Sequence, residues 1–143
     1  MTPRPSSRPW WLWAPAALWA ALIFAASSVS RVPDLPAHVT DKMAHASVYA
    51  VLAGACLGAL AGGRWTGVTM GAAAAAVLMA TAYGVTDELH QRFVPGRTAD
   101  LLDLLADFTG SMGAAVLALG TSWLLRRRLA TMKRFANGDP PGR

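Results

Sequence analysis

Charge is scarce in this chain, and the scarcity is its first constraint. Asp, Glu, Lys and Arg make up 15% of the 143 residues, against roughly 25% in soluble globular domains. Cysteine is nearly missing. The one present, Cys56, cannot form an internal disulfide or a Cys-rich metal site, and its apolar neighbours make it a small buried hydrophobe. Familiar catalytic signatures are missing too. His90-Gln91 is not HExxH, and no GxxxxGK[ST] loop occurs, so no metal ligand set is predicted. The net charge of +5 comes without a basic stripe interleaved with aromatics, which argues against nucleic acid as a partner.

What is present is long apolar sequence. Hydrophobic residues reach 54% and mean hydropathy is +0.34, gathered into runs of the length that crosses a bilayer. The reading is one all-α domain, an integral membrane four-helix bundle over 9–128, with helices at about 9–29, 41–61, 66–91 and 100–126. Residues 1–8 and the basic segment 129–143 are expected to be disordered tails. Arg4 and Arg8 ahead of the first run would also suit a secretory signal peptide. The length of the run and Trp10, Trp11 and Trp13 at its entry favour a retained anchor. Pro15 is expected in the first turn of that helix or at a kink, and residues 27–40 read as an irregular loop containing Arg31 and His38. Thr40 is a candidate N-cap for the second helix. Gly54-xxx-Gly58 and Gly58-xxx-Gly62 would permit close helix contact, and the alanine run 72–76 suits a helix facing its neighbours.

Basic residues orient the bundle. The N-terminal tail, the 62–65 turn and the C-terminal tail hold nine of the thirteen Lys and Arg residues and one acid, Asp139. The positive-inside rule then predicts both termini cytoplasmic. The polar residues clustered near 41–49 and 81–110 would face outward.

Those residues form three groups. Asp41, His45 and Tyr49 recur every fourth position with Lys42 beside them, sharing one helix face. Asp87 and Gln91 are also four apart, flanked by Glu88 and His90. Asp100, Asp103 and Asp107 fall on one stripe at the start of the fourth helix. Between them Val94-Pro95-Gly96-Arg97 reads as a turn that would hold Arg97 against the acids. An ionised Asp in hydrocarbon costs about 2.5–3.5 kcal/mol on insertion scales, so Asp103 and Asp107 need partners. The expectation is one connected network of His45, Asp87, Arg97 and Asp103. Separate interfacial groups are the alternative.

DKMAHASVY at 41–49, GVTDELHQRFVPGR at 84–97 and the run Asp100, Asp103, Ala106-Asp107, Gly110 closely resemble the VanZ family of small bacterial membrane proteins. The resemblance spans roughly 27–114. It implies a multi-pass protein of the bacterial inner membrane, in a family named for a factor in resistance to the glycopeptide teicoplanin. The matching polar positions are Asp41, Lys42, His45, Tyr49, Asp87, Glu88, Gln91, Arg97, Asp100 and Asp103. One departure is Asp107, where the family often has Asn.

Three functions are compatible with these residues. In the first, Lys42, Arg97 and His45 meet the phosphate or carboxylate of an anionic envelope ligand, while Asp87, Glu88 and Asp103 hold them in place. The partner would be a lipid-linked cell-wall intermediate or a lipoglycopeptide, and no cofactor is needed. In the second, the chain is an enzyme on a lipid phosphate or pyrophosphate, with Mg²⁺ on Asp87, Glu88 and Asp103 and His45 as general acid or base. In the third, the cluster only locks helices together.

Overall fold

The computed structural model describes residues 9–30 and 39–137. Tail residues 1–8 and 138–143 and most of the 27–40 loop, with Arg31 and His38, lie outside the described residues. Among the described residues four α-helices form the fold: α1 (Ala14–Ser27), α2 (Asp41–Leu60), α3 (Met70–Gln91) and α4 (Leu101–Ala136). Each is long and apolar enough to cross a membrane.

Helix starts follow local chemistry. Trp10–Trp13 form a 3₁₀ turn leading into α1, and Pro15 occupies the first turn of that helix, where a missing N–H costs nothing. Thr40 Oγ1 accepts from the Met43 N–H at the head of α2. Thr69 does the same for Ala72, so α3 begins at Met70 rather than near 66, after a 3₁₀ turn at Trp65–Gly67. Asp100 caps α4 through its Oδ1 and the Leu102 N–H. α4 overruns its expected end at 126 and the supposedly disordered tail is helical to Ala136. Arg, Leu, Ala, Met and Lys dominate 126–136 with no Gly or Pro among them, so propensity alone carries the helix onward.

α2 packs chiefly on α4, both contact α3, and α1 lies against α2 and α3. Starts of α2 and α4 share one end of the bundle with the last turns of α1 and α3, because Lys42 reaches Asp103 and Arg97 reaches Ala26. α1 is fastened by two long-range bonds, Trp19 Nε1 to the Val48 carbonyl at 2.9 Å and Tyr83 Oη to the Ala20 carbonyl at 2.7 Å.

Alanine supplies much of the interior, beside Tyr49, Leu52, Leu57 and Val77. Ala53, Ala59, Ala73, Ala76, Ala80 and Ala115 are buried, while Leu18, Leu78, Leu102 and Leu117 point outward. That inversion suits lipid, in which leucine gains little by turning inward and backbones gain by approaching closely. Cys56 is buried and free. Close approach occurs elsewhere than at the glycine repeats of α2. Gly54 and Gly58 have open space where a Cβ would stand and line an apolar groove of about 420 Å³ against α4. Between α2 and α4 the tight contact is Gly110 on Ala46.

Candidate functional site

The shared end of the bundle gathers the polar residues. α2 presents Asp41, Lys42, His45 and Tyr49. α4 presents Asp103, Asp107 and Ser111 at successive intervals of four, and the last turns of α3 present Asp87, Glu88 and Gln91. Acids at the starts of α2 and α4 also meet the positive ends of both helix dipoles.

Lys42 Nζ bridges Asp100 Oδ2 and Asp103 Oδ1, each at 2.5 Å. The Lys42 ammonium, aided by the Leu102 N–H, holds the Asp100 carboxyl below its ordinary range. The Asp100 backbone N–H donates to Glu88 Oε2 at 2.8 Å, tying α3 to the head of α4. His45 lies between two acids, with Nδ1 at 3.0 Å from Asp107 Oδ1 and Nε2 at 4.0 Å from Asp103 Oδ1. Lys42, His45, Glu88, Asp100, Asp103 and Asp107 thus form one network.

Asp87 and Arg97 do not join it. Asp87 Oδ2 accepts from Gln91 Nε2 at 3.1 Å within its own helix. Arg97 was expected against the acids; instead its Nε donates to the Val29 carbonyl and one Nη to the Ala26 carbonyl. The last carbonyls of a helix lack intrahelical donors and carry the negative end of its dipole. They capture the guanidinium while the acids are held by Lys42 and His45. Asp87 and Arg97 still share a cavity of about 150 Å³ with Asp41, His45, Tyr49 and Gln91.

Several buried polar atoms have no hydrogen-bond partner among the described residues: Tyr49 Oη, Asp87 Oδ1, Glu88 Oε1 and Asp107 Oδ2. Asp107 is 0% exposed. It fits because Gly84 on α3 has no side chain, and a Cβ there would come within 2.7 Å of Asp107 Oδ2. Ser111 extends the stripe. Its Oγ donates to the Asp107 carbonyl at 2.7 Å and to the Tyr49 carbonyl at 3.3 Å. Neither Ser111 nor Gly84 stood out in sequence, although the spacing of four from Asp107 to Ser111 continues the acid stripe. His90 stands apart, 2.9 Å from Ser28 Oγ and tilted 33° against the Phe24 ring at 4.5 Å between centroids.

Carboxylates crowd this site, its fixed cations are engaged, and its closest neighbours run from α1 through α4. A family model described as VanZ/LLP1 matches residues 11–126, a stretch that takes in the first helix as well as the polar motifs. No curated protein and no solved structure matches the chain. On that match and the four membrane-length helices, the chain is a multi-pass membrane protein that belongs to the VanZ/LLP1 family.

Proposed function

We propose that this protein binds or shields an anionic cell-envelope ligand at the outer face of the membrane, without turning it over. The observation carrying the proposal is the cavity shared by Asp41, His45, Tyr49, Asp87, Gln91 and Arg97. At about 150 Å³ it is well below the roughly 300–1,000 Å³ of a site that encloses a drug-sized molecule. It suits a single phosphate, carboxylate or sugar fragment whose apolar remainder stays in the bilayer. A lipid-linked cell-wall intermediate and a lipoglycopeptide both have that form, and sequestering such a group is the route by which a member of this family would contribute to glycopeptide resistance.

The proposed orientation has both termini cytoplasmic and the cluster outward. Arg64, Arg126, Arg127 and Arg128 support it, since they fall on or beside the turn and helix segment at the end opposite the cluster.

Purified protein in detergent, presented with undecaprenyl phosphate, undecaprenyl pyrophosphate and teicoplanin, tests the reading. Saturable binding without phosphate release is expected. Release that disappears in Asp87→Asn and His45→Gln would make the chain an enzyme, a reading favoured only by the unpaired carboxylate oxygens.

A further inference from the structure

The charge balance of the cluster conflicts with an anionic ligand unless something is added. Six carboxylates (Asp41, Asp87, Glu88, Asp100, Asp103 and Asp107) outnumber three fixed cations, Lys42, Arg92 and Arg97. Lys42 is committed to Asp100 and Asp103, Arg97 to the Ala26 carbonyl of α1 and the Val29 carbonyl beyond it, and Arg92 lines a separate pocket with Glu88 and Asp100. A phosphate entering this cavity would meet more negative charge than positive.

His45 is set to hold a cation. His45 Nδ1 lies 3.0 Å from Asp107 Oδ1, and in the tautomer that donates there the lone pair stands on Nε2. A carboxylate that fixes the tautomer in this way is the usual support behind a metal-bound histidine. Asp41, His45 and Asp103 each place one donor atom so that all three lie within 4.8 Å of one another. Tetrahedral zinc with N and O ligands at about 2.0–2.2 Å spaces them roughly 3.3 Å apart, so small side-chain rotations close the set. A second observation points the same way. Asp87 is 5% exposed, lines the same cavity as Asp41 and His45, and its Oδ1 has no partner among the described residues.

We propose that Asp41, His45 and Asp103 bind a first-row divalent cation, Zn²⁺ or Mn²⁺, beside the cavity that Asp41, His45 and Asp87 line, with Asp107 orienting the imidazole and Asp87 Oδ1 facing the ion. Asp103 Oδ1, 4.0 Å from His45 Nε2, also accepts from Lys42, so the ion would share that carboxylate with the ammonium. The imidazole nitrogen selects against Mg²⁺, which prefers an all-oxygen shell. The ligand set departs from the expectation that the cluster works without a metal. It also differs from a Mg²⁺ site on Asp87, Glu88 and Asp103, since Glu88 Oε2 is already occupied by the Asp100 N–H. The role of the ion, bridging the acids to an incoming phosphate, rests on the binding reading above; its existence does not.

Tag-free protein in detergent, stripped with EDTA and dialysed, is titrated with Zn²⁺, with Co²⁺ as a spectroscopic stand-in, and with Mg²⁺. One Zn²⁺ per chain is expected, with visible Co²⁺ bands that vanish in His45→Gln. Asp41→Asn should weaken the Kd by about tenfold or more. Asp41 is exposed, so that variant leaves the fold intact even if His45→Gln does not. Zn²⁺ affinity unchanged in Asp41→Asn, or Mg²⁺ bound as tightly as Zn²⁺, overturns the proposal. Undecaprenyl phosphate binding is followed separately on the same samples. Its absence with and without metal would sink the binding reading, while the titration decides the metal site by itself.

Discussion

Gly110 on α4 lies directly against the backbone of Ala46 on α2, so closely that a Cβ at Gly110 would overlap the Ala46 carbonyl. This contact sets the spacing of the two helices that carry Lys42, His45, Asp103 and Asp107. A wider spacing would part Lys42 from Asp103 and His45 from Asp107 together.

Gly110→Ala should therefore destabilise the protein by about 1–3 kcal/mol, the usual cost of overpacking, and abolish ligand binding. Gly113→Ala is the control, because nothing stands within 4 Å of its Cβ position. Thermal unfolding in detergent should separate the two variants. Equal melting temperatures would show that the helices are free to part.

Asp107 provides a second test. Its Oδ1 receives His45 Nδ1, while Oδ2 is buried against Gly84 with no hydrogen-bond partner among the described residues. Asp107→Asn keeps the acceptor and removes a buried charge, so its stability should match or exceed that of the parent. Asp107→Ala leaves the imidazole N–H without its acceptor, at a cost of about 1–3 kcal/mol. If both variants unfold alike, the His45 contact contributes nothing.

The Lys42–Asp100 pair predicts the acid limb of the stability profile. Asp100 is held below its ordinary range by Lys42, so it binds fewer protons folded than unfolded. Its contribution is present above the unfolded carboxyl value of about 3.9 and is lost as pH falls through the lower folded one. Asp100→Asn keeps the helix cap, since Asn caps as well as Asp, but loses the ion pair. As pH falls below about 4, the melting temperature of the parent should drop more steeply than that of the variant. Parallel curves would contradict the pairing.

Much of this site was legible because polar residues in an apolar chain are expensive, and their helical spacing tells which share a face. Asp41, His45 and Tyr49 on α2 and Asp103 and Asp107 on α4 were readable that way. Arg97 was not, since its partners are backbone carbonyls in and just after the last turn of α1 and carbonyls leave no mark in a sequence. The glycines misled for a related reason. Gly54-xxx-Gly58 has the spacing of a helix contact, yet Gly84 and Gly110 make the contacts, and only the register of three packed helices decides which glycine meets a neighbour. α4 ran long because charge density suggested disorder, whereas helix propensity past Arg126 continued unbroken to Ala136.

Orientation is the last prediction. Thr98, beside the cluster, and Thr66, in the turn at the other end, are both exposed. Thr66 serves better than Gly63, whose φ of 73° would strain any side chain. The native Cys56 is buried, and Cys56→Ala removes its background. If the nine-to-four distribution of Lys and Arg sets the topology, Thr98→Cys should react with a membrane-impermeant thiol reagent in intact cells. Thr66→Cys should react only after the membrane is opened. The opposite pattern would put the cluster on the cytoplasmic side. It would then remove envelope ligands presented from outside as its partners, because each of them requires the cavity formed by Asp41, His45 and Asp87 to face outward.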